Sequence, residues 1–594
     1  MNANFIHPSI FFFLLAIIVP LLGKKRYDLW KWLLPVPGIL ALLVALTVKP
    51  GTYVIGHYLG YTLTAHVSSL SSIFITIFAI EAIIAMVFSM HVKNPWHHVA
   101  ASTYVGGAIA CVLSGDYLTL YIFWEIIAVA SAFLIWLNED LDCAPKVAFR
   151  YLLFHIVSGL FLLAGILIRY KIEGTFAFIS ADIHNLNFYD WLIFVSFAIN
   201  AAIVPLHAWI HDAYPRSTVP GIVFMNAYTT KTAVFALATV FAGMHLLAIA
   251  GTIMTIFGAA MALIENNARK ILTYHIISQV GYMVAGIGIG GALGLNGGIA
   301  HAYADILFKG LLFMAVGVII YSTGKRKLTE MGGLAYKLPW VMIFYMVGAL
   351  SISGAPLFAA YVTKTMVIAG AAEEHMKLLA LGLEVAAVGT FLSVGLKLPY
   401  FAFFHKKEFD GEIKKPIPKN MYAGMAMAAF MCILVGSYPQ FLYKMLPIQP
   451  VEYHPYTASH ILATVQLLGF TGLGFYVLRK VVKPHDKIVL DLQYLYYDFT
   501  KWLMMIFSNL VATFDNFWSA VYKKVGIALL IRISDFTTIF DRNVIDGVVD
   551  GSAKAVENSG AALSKLQSGK LSEYVEYSIA FGFAIILILY FILH

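Results

Sequence analysis

Apolar runs of eighteen or more residues, separated by short polar loops, recur along the whole chain, from Phe5 to Leu22 and Leu29 to Val48 through to Tyr574 to Leu593. Each is long enough to cross a hydrocarbon core of roughly 30 Å as a helix. Sixteen such segments can be counted, starting near residues 5, 29, 67, 97, 117, 147, 190, 218, 245, 270, 296, 338, 376, 419, 458 and 572. The first lacks a basic stretch and a small-residue cleavage site, so it reads as a retained helix. Two stretches break the pattern. Residues 51–66 alternate aromatic and β-branched with small or polar residues around glycines, which predicts a short external hairpin. Residues 481–570 mix apolar and charged positions at helical spacing with no charge-free run of membrane length, which predicts a lateral amphipathic segment on the membrane surface. Within it Ile531, Ile533, Phe540, Ile545 and Val548 interleave with Arg532, Asp535, Asp541, Arg542, Asp546 and Asp550.

Composition agrees with this all-α membrane protein. The 594 residues are 60% hydrophobic and 12% charged, with a mean hydropathy of +0.80, outside the range of soluble domains. The net charge of +8 is a matter of topology and does not mark a nucleic-acid surface. With the N-terminus outside, the loops at 22–31, 91–97, 138–146, 210–217, 265–270, 323–337 and 405–419 hold 18 Lys and Arg, and the opposite short loops about five. This is the positive-inside asymmetry of a multi-pass protein of the cytoplasmic (inner) membrane, both termini outside. Cys111, Cys143 and Cys432 have no CxxC or Cys/His spacing and read as packing residues, so no disulfide, metal or redox cofactor is expected.

Against this apolar background the charges inside the spans stand out, because each costs on the order of 2.5 to 3.5 kcal/mol at the bilayer centre. Glu125 lies in the fifth span, Lys231 in the eighth, His301, Asp305 and Lys309 in the eleventh, Lys364 in the twelfth and Lys397 in the thirteenth. The eleventh-span trio is spaced i, i+4, i+8, which puts all three on one helix face, as a proton relay requires. A static polar seam between helices would use the same residues. Glu81, His155, His207, His275 and Glu384 are also inside or beside spans and read more simply as packing or interface groups.

Helix breaks are the second signal. Pro205 follows Asn200 in the seventh span, and Gly354-Ala355-Pro356 interrupts the twelfth shortly before Lys364. Broken helices leave backbone carbonyls for ions or lysines inside a cavity. Pairing the seventh span with the twelfth, and Lys231 with Lys397, predicts two inverted five-helix repeats. The domains then run 1–96 (three helices with the hairpin), 97–242 (first repeat), 245–404 (second repeat), 419–480 (two helices), 481–570 (lateral segment) and 572–594 (anchor helix).

Several stretches resemble the antiporter-like subunits shared by respiratory complex I and the multi-subunit Mrp sodium/proton antiporters, nearest the D type of the latter. Trp124-Glu125 is similar to the family's fifth-span WE, VPLHAWIHDAYP at 204–215 to its VPLHxWLPDA, NNARKILTYHIISQVGYM at 266–283 to its DIKRxLAYSTISQxGYM, and HAYADILFKGLLF at 301–313 to its HxxxHxxFKALLF. FDRNVIDGVVDGSA at 540–553 and LQSGKLSEYV at 566–575 resemble the end of the distal complex I antiporter subunit, which carries a lateral helix anchored by a last span. The resemblance implies that residues 481–570 clamp against neighbouring subunits. It implies Glu125 as the fifth-span carboxylate that modulates a lysine, Lys231 as the connecting lysine, His301 and Lys309 as the relay and Lys364 as the terminal group.

Two positions depart from that pattern. Asn200 stands where the family usually has a lysine, and Asp305 where it has a second histidine. Either Lys231 partners Glu125 instead, or the first half-channel is altered. The function expected is translocation of protons, with Na+ left open as a second ion, by a subunit of a multi-subunit complex in the lipid bilayer, without nucleic acid. A redox-driven membrane arm, linked to NADH, formate or hydrogenase chemistry, is one alternative. A scaffold or partner subunit in another uptake system, such as inorganic carbon transport, is another.

Overall fold

The computed structural model describes residues 5–58, 60–486, 491–540, 546–564 and 569–593. Contacts divide the chain into a large unit, 1–494, and a C-terminal unit, 495–594. Eleven of the described helices are long and apolar enough to cross a membrane, and three shorter apolar helices add to them.

The large unit begins with α1 (Ser9–Leu22) and α2 (Val36–Thr47), with the basic turn 24–26 between them. The expected hairpin follows: β1 (Gly51–Tyr58) pairs antiparallel with β2 (Tyr61–Val67), with a register shift between Val54 and Gly56. It is pinned to the bundle by Asp116, whose Oδ2 accepts from the backbone N and Oγ1 of Thr64 at 2.7 and 2.6 Å. The same carboxylate caps the helix that begins at Tyr117 by accepting from Thr119 N at 2.7 Å. A reciprocal capping box of Ser68 and Ser71 starts α3 (Ser69–Ser89), and Asn94 with Pro95 starts α4 (Pro95–Val112). Then come α5 (Tyr117–Trp136), α6 (Ala144–Glu173), α7 (Phe188–Asn200), the short α8 (Ala208–Ala213), α9 (Gly221–Ala227) and α10 (Thr229–Val240).

The second half of the unit holds α11 (His245–Ile264), α12 (Ala268–Ile289), α13 (Gly291–Thr323), α14 (Pro339–Ser353), α15 (Ala359–Glu373), α16 (Lys377–Thr390), α17 (Lys419–Ser437) and α18 (Ala458–Leu478). α12 and α13 are buried along nearly their whole length, whereas α18 buries only Phe475. α11 and α12 approach through small residues: a Cβ on Gly281 would lie 2.6 Å from Gly251 O and 2.7 Å from Thr255 N.

Four spans are interrupted. The seventh stops at Asn200 and resumes at α8; the twelfth stops at Ser353 and resumes at α15. Each gap holds a non-glycine residue in the left-handed region, Ala202 at φ 55° and Leu357 at φ 73°. Such residues cost on the order of 1 kcal/mol or more and persist only where the surroundings over-determine them. The other two interruptions carry no sequence signal as plain as Pro205 or Gly354. The eighth span breaks at Tyr228, between α9 and α10, and the thirteenth continues from α16 as π-helical turns, Phe391–Lys397 and Tyr400–Phe404.

The C-terminal unit continues α19 (Gln493–Val521) through a π-helical turn, Tyr522–Ile527, into α20 (Ala528–Phe540), followed by α21 (Asp546–Ser564) and α22 (Leu571–Leu593). Of the segment expected to be amphipathic helix, Gln493–Phe540 and Asp546–Ser564 are helical while the described residues 481–486 are not, and Phe514, Trp518, Leu529 and Phe536 are exposed along it. Asp541, Arg542 and Ile545 of the expected amphipathic pattern lie outside the described residues.

Candidate functional site: a buried line of lysines

α13 runs 33 residues without a proline, so the i, i+4, i+8 spacing survives intact and His301, Asp305 and Lys309 share one face with no solvent exposure. Asp305 is the hub. Its Oδ2 lies 2.7 Å from Lys231 Nζ on α10, and its Oδ1 lies 3.7 Å from Lys309 Nζ one turn along. All three side chains are fully buried, so the attraction acts with little solvent screening.

The other contacts of the lysines share a logic. Lys231 Nζ donates to Asn226 O at 2.9 Å, the last turn of α9 before the Tyr228 break. Lys364 Nζ donates to Ile352 O at 2.7 Å, the last turn of α14 before the Gly354 break. Lys397 donates to Leu263 O and, at 2.9 Å, to Glu265 O, at the end of α11. Each ammonium thus takes carbonyls that a helix end leaves without an intrahelical partner, at the negative pole of the helix dipole. Lys309 differs: among the described residues it has an ion pair but no hydrogen bond.

His301 joins the line to the twelfth span. Its Nδ1 is 2.9 Å from Thr363 Oγ1, the neighbour of Lys364, and Lys364 Nζ sits 4.9 Å from the Tyr282 ring centroid, with the His301 ring 5.4 Å away. Lys364 also lines a cavity of about 540 Å³ at the break, with Glu384 and His460 among its walls. His275, read from the sequence as a packing residue, is placed in the line: its Nε2 is 2.6 Å from Ser393 Oγ, one turn before Lys397, and its ring lies within electrostatic reach of Lys309 and Lys364. Its position inside the 266–283 motif was the available signal.

The fifth span stands apart. Glu125 is half-buried and makes no ion pair among the described residues; Lys231 does not take the partner role, because it pairs with Asp305. Asn200 Oδ1 instead meets His155 Nδ1 at 2.9 Å. His155 and Gly159 share a face of α6, and Gly159 leaves the space that the Glu125 carboxylate occupies. The other side of Glu125 lines an apolar cavity of about 700 Å³ with Trp96, Val129, Phe133 and Trp136. Lacking a paired cation, Glu125→Gln is expected to reduce proton flux by less than the roughly 100-fold typical of removing a proton-transferring group. Flux in vesicles at matched assembly checks this.

One further constellation was not legible in the sequence. Asp491, from the segment after α18, turns into the bundle beneath the seventh-span break: its Oδ1 is 3.2 Å from His207 Nε2, and its Oδ2 accepts from Tyr274 Oη at 2.9 Å. The His211 ring stacks on Tyr274 at 4.1 Å. Burial works against the Asp491 carboxylate, but the hydrogen bonds and His207 outweigh it and hold the group below its ordinary value. A depressed carboxylate stabilises the fold above its unfolded-state value, near 3.9, and that contribution is lost as pH falls through the folded value. Acidification below about pH 4, or Asp491→Asn, is therefore expected to release the segment that carries Asp491. Protease nicking of that segment checks both.

The residues 114–393, which contain every charged group of this line but one, match the family model for the transmembrane part of NADH:quinone oxidoreductase/Mrp antiporter subunits. Over these residues the chain is similar to this family of antiporter-like membrane subunits. It is 29% identical over 351 residues to an uncharacterized protein of Methanocaldococcus jannaschii, covering 56% of this chain and 72% of that one. It is 26% identical over 392 residues to a protein of Staphylococcus aureus (strain MRSA252) that carries the name antiporter subunit mnhD2, covering 62% and 78%. Among solved structures it is similar in fold to a chain of the Mrp complex from Dietzia sp. DQ12-45-1b, with a TM-score of 0.68, 19% identity, and coverage of 79% of this chain and 98% of that one. A chain of the membrane-bound sulfane sulfur reductase, an archaeal respiratory membrane complex, gives a TM-score of 0.69 with 21% identity and coverage of 89% and 99%. The one group outside the matched residues is Lys397.

Proposed function

We propose that this chain translocates protons as one subunit of a multi-subunit complex in the cytoplasmic membrane, termini outside, using Lys231, Asp305, Lys309, His301, Lys364 and Lys397. The observation that carries the reading is the Lys231–Asp305–Lys309 chain of ion pairs at zero exposure, which continues through His301 and Thr363 to Lys364 at a cavity. A scaffold has little reason to bury three charges on each other. In this reading residues 97–242 and 245–404 are two inverted repeats, and the break pairs Ala202/Leu357 and Tyr228/Phe391–Lys397 support that organisation. Protons move along the line by transfer between neighbouring groups, and Asp305 holds the two lysines close enough to respond to each other's charge.

The departure at Asn200 makes the first half-channel different: Glu125 acts through His155 rather than through a seventh-span lysine. The exposed apolar side chains of the C-terminal unit pack on neighbouring subunits and lipid. A second reading, the membrane arm of a redox-driven complex, is favoured by the likeness to a chain of the sulfane sulfur reductase, which extends over 89% of this chain. Both readings require proton flux. Inverted vesicles carrying the intact complex are tested with an imposed Na+ gradient and, separately, with reductant; flux under the first favours an antiporter, under the second a redox arm, and neither overturns the proposal.

A further inference from the structure

We propose that Glu81 is a second proton-carrying carboxylate of the central cluster, exchanging a proton with Lys231. The inference rests on the reading of this chain as a proton-translocating subunit. Glu81 sits in the middle of α3, outside both helix sets that carry the other charges and outside the residues that match the family model. Its exposure is 0%, and neither carboxylate oxygen has a hydrogen-bond donor among the described residues.

Two contacts fix its place. Tyr228, at the eighth-span break, donates its hydroxyl to Phe78 O at 3.1 Å and packs edge-on against the Phe78 ring at 5.0 Å. Phe78 is one turn before Glu81, and Lys231 is three residues after Tyr228, so the break is held against the stretch of α3 that carries the acid. On the other side lies Gly310, the residue after Lys309. A Cβ there would sit 2.7 Å from Glu81 Oε1 and 3.4 Å from Oε2, so the carboxylate rests on the backbone of α13. Lys231 is within electrostatic reach of it.

Charge counting gives the role. Lys231 and Lys309 bring two positive charges to a site where Asp305 supplies one negative. Glu81 balances the second, and a buried charge left unbalanced is costly. In the exchange a proton leaves Lys231 Nζ, which becomes a neutral amine, and joins the Glu81 carboxylate, which becomes a neutral acid. The net charge of the cluster does not change, and two buried ions become two neutral groups, which relieves the cost of burying them as charges. Asp305 stays ionised beside Lys309.

The test uses the intact complex in inverted vesicles, with Lys309→Ala as the reference for the general reading. Glu81→Gln is expected to lower flux by about tenfold or more, and Glu81→Asp to recover part of it. Gly310→Ala keeps every ionisable group but puts a methyl where the carboxylate rests, and is expected to lower flux as well. A structural acid would not explain the remaining readout: infrared difference spectra after a pH jump should show a protonated-carboxyl band that Glu81→Gln removes. Wild-type flux in Glu81→Gln while Lys309→Ala is dead, or a carboxyl band unchanged by Glu81→Gln, overturns the proposal and leaves the general reading standing. Flux intact in both variants strikes the general reading itself. Where Glu81→Gln fails to assemble, Gly310→Ala decides: wild-type flux in that variant overturns the proposal.

Discussion

Replacing Lys309 with alanine is expected to cut proton flux by about 10²-fold or more while the complex still assembles. The asymmetry between function and stability comes from the geometry at Asp305. Its tighter partner is Lys231 at 2.7 Å, and Lys309 stands at 3.7 Å with no hydrogen bond among the described residues. Removing Lys309 therefore leaves Asp305 paired and takes away one desolvated ammonium, so the loss of packing and the relief of burial oppose each other. Transport has no such compensation. Lys309 stands beside Asp305 and within electrostatic reach of His275, and no other ionisable side chain of α13 lies between Asp305 and the end of that face. Quenching of a pH-sensitive dye in inverted vesicles, normalised to assembled complex, measures the effect. Flux equal to wild type would end the relay and with it the strongest argument against a scaffold.

How much of this was legible depended on whether the cause was local. The alignment of His301, Asp305 and Lys309 was legible because helical periodicity alone fixes i, i+4, i+8, and α13 has no proline to disturb it. The breaks of the seventh and twelfth spans were legible because Pro205 and Gly354-Ala355-Pro356 announce them. The break at Tyr228 was not: Asn226-Ala227-Tyr228-Thr229 contains no proline or glycine, and the interruption goes with tertiary bonds, Tyr228 to Phe78 O and Tyr104 to Thr229. The same holds for the π-helical turns before Lys397. Asp491 lies 284 residues from His207, and nothing local in either segment implies the other. The resemblance supplied roles for Glu125 and Lys231 by position, and the departure at Asn200 was visible. What replaced the missing lysine, His155 on Asn200 and Asp305 on Lys231, needed the packed bundle.

Asp305→Ala should have the opposite profile to Lys309→Ala: a loss of stability first, with flux lost because little complex remains. Truncating one member of a buried charge set leaves the others unpaired, and the cost is roughly 3–5 kcal/mol. Here two ammonium groups, not one, lose their carboxylate, and only Lys231 keeps a carbonyl contact, to Asn226 O at 2.9 Å. The melting temperature of the purified complex should fall and the free subunits should rise on a native gel. The double variant Asp305→Leu with Lys231→Met separates stability from transport, since replacing both partners of a buried pair with apolar groups of similar size is often neutral or stabilising. It should recover part of the melting temperature, because Lys231 no longer lacks a partner while Lys309 still does, and none of the flux. If Asp305→Ala melts like wild type, Asp305 is not the counter-ion that holds the two lysines together. If the double variant transports, protons cross by a route that avoids this cluster.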